Sequence, residues 1–218
     1  MNRFYMLLGA VVLAGGAALW FASREKPAAG LTWTGPAPVA SNDGFAGYTM
    51  GSDSAPVEVV EYLDFECPAC ARFAVLQLPT IREQLIATGR VRWRTRDFPL
   101  QSHRYSRFSS HAAQCAGEQG KFLEMHDQLF FNHSWAQTGK NPTRLFRGFA
   151  QAAGLDVTAY DACMASERYA GRIEASRLEG EARGVGGTPT FFVNGRPVPG
   201  IPNSDEVKAL VEQAARPR

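Results

Sequence analysis

The sequence predicts an α/β domain in which a mixed sheet is covered by helices and interrupted by an all-helical block. Three observations carry that reading. Val57 to Phe65 alternates as a strand does and runs straight into Cys67-Pro68, a helix start. From Tyr105 to Arg183 apolar residues recur at spacings of three and four, with no strand signal. Thr190 to Val193 and Arg196 to Val198 flank Asn194-Gly195, the strongest short hairpin signal. A β-α-β run followed by a closing hairpin requires a mixed sheet.

Each element has its own reason. In the first strand Val57, Val59, Glu61, Leu63 and Phe65 point one way, and Glu58, Val60, Tyr62 and Asp64 the other. In the helix opened by Pro68, Phe73, Leu76 and Leu85 continue an apolar face, and Pro79 is expected to kink it. Val91 to Asp97 is a second strand, with Val91, Trp93 and Thr95 facing opposite Arg92, Arg94 and Arg96. That arginine stripe is expected to be solvated or paired with acids such as Glu58 and Asp64. Four helical stripes follow: Tyr105, Phe108, Ala112 and Cys115; Phe122, Met125 and Leu129; Asn141-Pro142 to Gly154; and Val157, Tyr160 and Met164. A longer stripe runs from Tyr169 to Arg183. Asn203 and Glu206 are spaced as a capping box for a last helix with Val207, Leu210 and Val211 on its buried face.

With 218 residues, 45% hydrophobic and 20% charged, the chain is neither disordered, nor collagen-like, nor a small disulfide-stapled scaffold. The net charge of +2 resides in Met1 to Lys26, where Arg3, Arg24 and Lys26 outnumber Glu25, so the remainder is neutral. A neutral body excludes nucleic acid as partner, because phosphate neutralisation needs surplus Lys and Arg. Phe4 to Ala22 is free of charge over nineteen residues, enough for a helix to match a bilayer's hydrocarbon core. Small residues within it also fit a cleaved signal peptide. The length of the run, with Trp20 and Phe21 at its end, favours an uncleaved anchor, and the body is exported on either reading. Residues 1–26 are thus read as signal anchor or signal peptide. Residues 27–47 form a linker rich in Pro, Ala and Gly, and 48–218 one domain with a helical insertion over about 100–165.

Cys67-Pro68-Ala69-Cys70 carries the chemistry. At a helix amino terminus, unpaired N–H groups and the macrodipole stabilise an anion, so the Cys67 pKa is expected below the free value of ~8.5. Pro and Ala between the cysteines add no charge, so the depression should be smaller than an imidazolium would give. Cys70, one turn on, faces inward and suits a resolving thiol. Glu61 falls on the apolar face of its strand, where burial should raise its pKa and fit it to exchange a proton with Cys70; an ion pair with an arginine is the alternative.

The segments EVVEYLDFECPAC, DFPL, CAGEQGKFLEMHDQLF and GVGGTPTFFVNG together resemble the DsbA-like thiol:disulfide oxidoreductases of the thioredoxin superfamily, over about Tyr48 to Gln213. The resemblance implies a thioredoxin fold with an inserted helical block. It implies Cys67 as the exchanging sulfur, Cys70 as its partner and Glu61 as the buried acid, with Pro189, after Thr188, as a cis-proline facing the disulfide. It further implies exported substrate proteins with free thiols, a membrane partner that reoxidises Cys67 and Cys70, and a periplasmic or extracytoplasmic location. No cofactor is expected. The chain differs from the best-known member in lacking His between the cysteines and in having Thr188 in place of Val. Thr188 resembles the disulfide isomerases of the superfamily, but the linker leaves no room for their dimerisation domain. Oxidase therefore leads over reductase or isomerase, and a monomer is the default.

Four cysteines allow three pairings. With Cys67 and Cys70 adjacent, a bridge from Cys115 to Cys163 is the simplest, and related exported members resemble this chain in having one; two free buried thiols are the alternative. The competing class is a metal-binding module built on Cys67 and Cys70, for which Cys115 and His111 offer further ligands without a second close pair. His103, His126 and His133 read as surface or helix-end residues. Phe122, Met125 and Leu129 read as core, and no Gly-rich phosphate loop or Ser-His-Asp pattern stands out.

Overall fold

In the computed structural model, residues 40, 41 and 43–216 are described. The apolar segment from Phe4 to Ala22 and most of the linker lie outside them. Among the described residues no helix is long and apolar enough to cross a membrane.

The predicted strand is β2, Val57–Leu63, and it occupies the middle of a five-stranded sheet. It runs parallel to β3, Val91–Asp97, and antiparallel to β4, Thr190–Val193, which pairs in turn with β5, Arg196–Val198. A central strand is covered on both sides, which is why Val60 and Tyr62 are as buried as Val57 and Val59. On one face Val57, Val59, Trp93, Phe191 and Val193 pack against Phe73, Leu78, Ile81 and Leu85. On the other, Val60, Tyr62 and Phe192 meet Phe98 and Val185. The Asn194-Gly195 turn has φ of 46° and 79°, the left-handed pair that a two-residue hairpin needs.

One strand had no sequence signal. β1, Tyr48–Met50, pairs antiparallel with β3 and places Tyr48 opposite Thr95. It is three residues long and lies between Gly47 and Gly51, so its pairing comes from β3 and not from its own composition. Gly47, at φ 116°, leaves no room for a Cβ, which would come within 2.5 Å of the Thr95 carbonyl oxygen.

The parallel pair β2 and β3 needs a crossover. Helix α1, Pro68–Leu76, begins it, followed by the short α2, Leu78–Ile81, and a wider π-helical turn over Arg82–Ile86. The expected kink falls at Gln77, two residues before Pro79, where φ is −111°. This break corrects the predicted apolar face. Leu76 ends α1 at 64% exposure, and Leu78, after the break, takes the core position.

The helical block comprises α3, Ser106–Glu118, α4, Phe122–Phe131, a 3-10 turn over His133–Gln137, α5, Thr143–Ala152, and α6, Val157–Ser166. A Cys115–Cys163 disulfide ties α3 to α6, closing 48 residues of sequence. The Asp156 side chain caps α6 by accepting from the N–H groups of Thr158 and Ala159. Helix α7, Ala170–Ala182, returns the chain to the sheet, and α8, Ser204–Ala214, opens with both bonds of the Asn203/Glu206 capping box.

The arginine stripe is paired, with one partner different from expectation. Arg92 and Arg94 both reach Glu58, whereas Arg96 pairs with Glu179 of α7. Asp64 is fully buried and bonds instead to the Glu66 and Leu100 N–H groups and to His103. His126 is a second correction: it is a core residue, packed edge-on against Phe65 and Phe130.

Candidate active site

The site forms where β2 ends and α1 begins. Strand pairing stops at Leu63, and the Cys67 N–H donates to the Asp64 carbonyl over 3.0 Å, turning the chain into the helix. Cys67 is the N-cap, with extended backbone, and Pro68 takes the first helical position, where a missing N–H costs nothing. Cys67 is 6% exposed and Cys70 is wholly buried; both are free thiols.

A second segment completes the site. The Thr188–Pro189 peptide bond is cis, Pro189 is buried, and the Thr188 carbonyl oxygen lies 3.3 Å from the Cys67 sulfur as hydrogen-bond acceptor. The residue pair implied by resemblance and the cysteine pair are therefore in contact across 121 residues of sequence.

The electrostatics set the two sulfurs apart. Cys67 is pulled down to about 5, first by a hydrogen bond from the Cys70 thiol, against the effect of burial, with Thr188 and the N–H groups of Cys70 and Ala69 adding to it. The N–H groups of the helix terminus do contribute, but the Cys70 thiol contributes more. Cys70 is pushed well above its ordinary value by burial and by the neighbouring Cys67. Glu61 is raised to about 7 by complete burial, offset by the Trp93 hydrogen bond and the charge of Arg82. Its Oε2 accepts from the Trp93 indole N–H at 3.0 Å, so its partner is an indole and not the ion-paired arginine weighed above. The negative field of Glu61 also reaches Cys70.

Several residues at the site gave no sequence signal. Trp93 read only as core. Asp64 and Glu66, just before Cys67, bind loop groups that follow β3, among them His103. A contact between positions 39 residues apart has no local periodicity to announce it. Cys115, Cys163 and His111 cluster between α3 and α6, and among the described residues Cys67 and Cys70 belong to no group of three candidate metal ligands. The metal-binding alternative lacks a ligand set there.

A family model described as thioredoxin matches residues 45–213. The chain belongs to the thioredoxin family. Its fold is the thioredoxin fold with the helical block of DsbA-type proteins: α-DsbA1 of Wolbachia pipientis superposes with a TM-score of 0.69 at 19% identity, over 80% of this chain and 96% of that one. In sequence, a Na(+)/H(+) antiporter NhaA 3 of Salinispora tropica is 39% identical over 168 residues, which is 77% of this chain. The chain spans about a quarter of that relative's length, 24%. A Rickettsia typhi protein named as a candidate protein-disulfide oxidoreductase is 27% identical over 67% of this chain and 54% of its own.

Proposed function

We propose that this thioredoxin-family chain is a DsbA-like thiol:disulfide oxidase of the cell envelope, donating a Cys67–Cys70 disulfide to exported proteins with free thiols. The observation that carries the reading is the contrast between the two sulfurs: Cys67 at about 5, at the amino-terminal end of α1, against a wholly buried Cys70 of raised pKa. A stabilised Cys67 thiolate favours the reduced form by about 1.4 kcal/mol per pKa unit, which makes the disulfide the better oxidant.

The steps follow from access. A substrate thiolate attacks the Cys67 sulfur, the Cys67–Cys70 bond breaks, and Cys70 departs with the electron pair. Cys70 requires a proton at once, because burial disfavours its anion. Glu61, held near neutrality by burial, is the donor. A second substrate thiolate then attacks the substrate sulfur of the mixed disulfide and Cys67 leaves as thiolate, so the substrate loses two electrons and the chain gains them. The Thr188 carbonyl lies beside the exchanging sulfur, where an extended substrate backbone would pass. A membrane partner that accepts the two electrons reoxidises the pair, and Phe4 to Ala22 supports placing the domain at the outer surface of the cytoplasmic membrane.

Equilibration of the full chain against a glutathione series, with Cys70→Ser as control, tests the direction. An oxidase should equilibrate above about −180 mV, whereas a value near or below about −270 mV overturns it in favour of a reductase.

A further inference from the structure

The dipeptide between the cysteines carries no charge, yet two carboxylates occupy the three positions before Cys67. Asp64 is wholly buried and its two oxygens are fully engaged. Oδ1 accepts from the Glu66 N–H at 2.8 Å, and Oδ2 accepts from the Leu100 N–H at 3.0 Å and lies 2.7 Å from His103 Nδ1. Glu66 Oε2 accepts from the Tyr105 N–H at 2.6 Å. The carbonyl of the same Asp64 receives the Cys67 N–H at 3.0 Å. The loop after β3 is thereby fastened at three points to the peptide that leads into Cys67, and it delivers one imidazole, 23% exposed, onto a buried carboxylate.

A buried acid so close to the nucleophile opposes a second anion unless it is neutralised. A 2.7 Å contact between imidazole and carboxylate is the length of a charge-assisted bond. The groups acting on His103 come from the turn between β2 and α1: Asp64, Glu66 and Cys67, all of which favour its protonated form, against partial burial. From the 3-10 turn, His133 faces the backbone of Phe65 and Glu66, but burial lowers its pKa, so it is no rival cation at neutral pH.

We propose that His103, clamped on Asp64 as an imidazolium, is a positioning residue that cancels the Asp64 charge and supplies, from the loop after β3, the positive field that Pro68-Ala69 lacks. Rested on the oxidase reading above, this makes the thiolate of Cys67 the joint product of α1 and a loop 36 residues away. The effect of His103 on Cys67 and that of Cys67 on His103 are one interaction and must be equal.

The experiment uses the reduced full chain. In His103→Gln, which keeps a donor for Asp64 and removes the charge, the thiolate absorbance of Cys67 should titrate about 0.5 to 1 pH unit higher than in the unaltered protein, and thiol reactivity at acidic pH should fall about 3- to 10-fold. His103→Lys, which keeps the charge, should return more than half of that shift. Reciprocally, Cys67→Ser should lower the imidazole titration of His103, followed by NMR, by the same amount. An unmoved Cys67 titration in His103→Gln overturns the proposal and leaves His103 as a loop fastener, as does an unmoved His103 in Cys67→Ser. Both titrations are readable whatever potential the glutathione series returns, so failure of the oxidase reading and failure of this proposal remain distinct.

Discussion

The two cysteine pairs sit in opposite surroundings. Cys67 and Cys70 lie three positions apart at a helix start, beside a buried acid and a peptide segment from the far end of the chain. Cys115 and Cys163 join the interiors of α3 and α6, both buried, with the neutral imidazole of His111 beside them and its pKa lowered to about 4 by burial. One pair is set among groups that fix its protonation, and the other is joined in a bridge that spans a long loop. Burying Glu61 in the active region costs stability, whereas the bridge stabilises the helical block by constraining the unfolded chain.

Removing one pair at a time separates their roles. Cys67→Ser should abolish disulfide transfer to a reduced substrate protein, a loss of at least about 100-fold, while Cys115→Ala/Cys163→Ala should retain transfer. Measurable transfer by Cys67→Ser would dissolve the distinction. The same double variant should lose about 4 kcal/mol in denaturant unfolding, from reopening a 48-residue loop in the unfolded chain.

Glu61→Gln tests the cost on the active side. The folded chain holds the Glu61 proton up to about 7, against an ordinary value of 4.5, so the folded state binds more protons between those limits and stability falls as pH rises through that window. Gln should therefore stabilise the reduced protein by about 3 kcal/mol above pH 7 and by little below pH 4.5, in urea unfolding at a series of pH values. A gain independent of pH would remove Glu61 as the titrating group. His111 works in the opposite sense. Its depressed pKa means the unfolded chain takes up a proton that the folded chain refuses, so stability is lost as pH falls from 6.5 toward 4. His111→Gln should flatten that acid limb. The smallest effect is expected on the arginine stripe: Arg92→Gln, at a part-exposed ion pair with Glu58, should leave the urea-unfolding midpoint essentially unchanged and both cysteine pairs unaffected.

The sequence made the sheet legible where pattern is local. Alternation located β2 and β3, Asn194-Gly195 located the hairpin, and the Asn203-to-Glu206 spacing located a cap whose two bonds are both present. What it hid depends on partners far along the chain. β1 exists because β3 offers an edge, Leu76 is exposed because the helix breaks at Gln77, and Arg96 chose Glu179 because α7 returns over the sheet. At the site the cysteines were readable from their place between strand and helix. The Asp64–His103 contact was not, since nothing in either residue's neighbourhood forecasts the other.

The alternation of β3 also acts as a ruler. Val91, Trp93 and Thr95 face the core while Arg92, Arg94 and Arg96 face their acids, and Thr95 stands opposite Glu61. Sliding the strand by one residue would press three guanidinium groups into the apolar layer and expel an indole. No intermediate alignment is tolerable, so the register that lays the Trp93 indole of β3 on Glu61 of β2 is quantised: the chain can shorten or lengthen its loops, but it cannot slide that contact by a fraction of a residue.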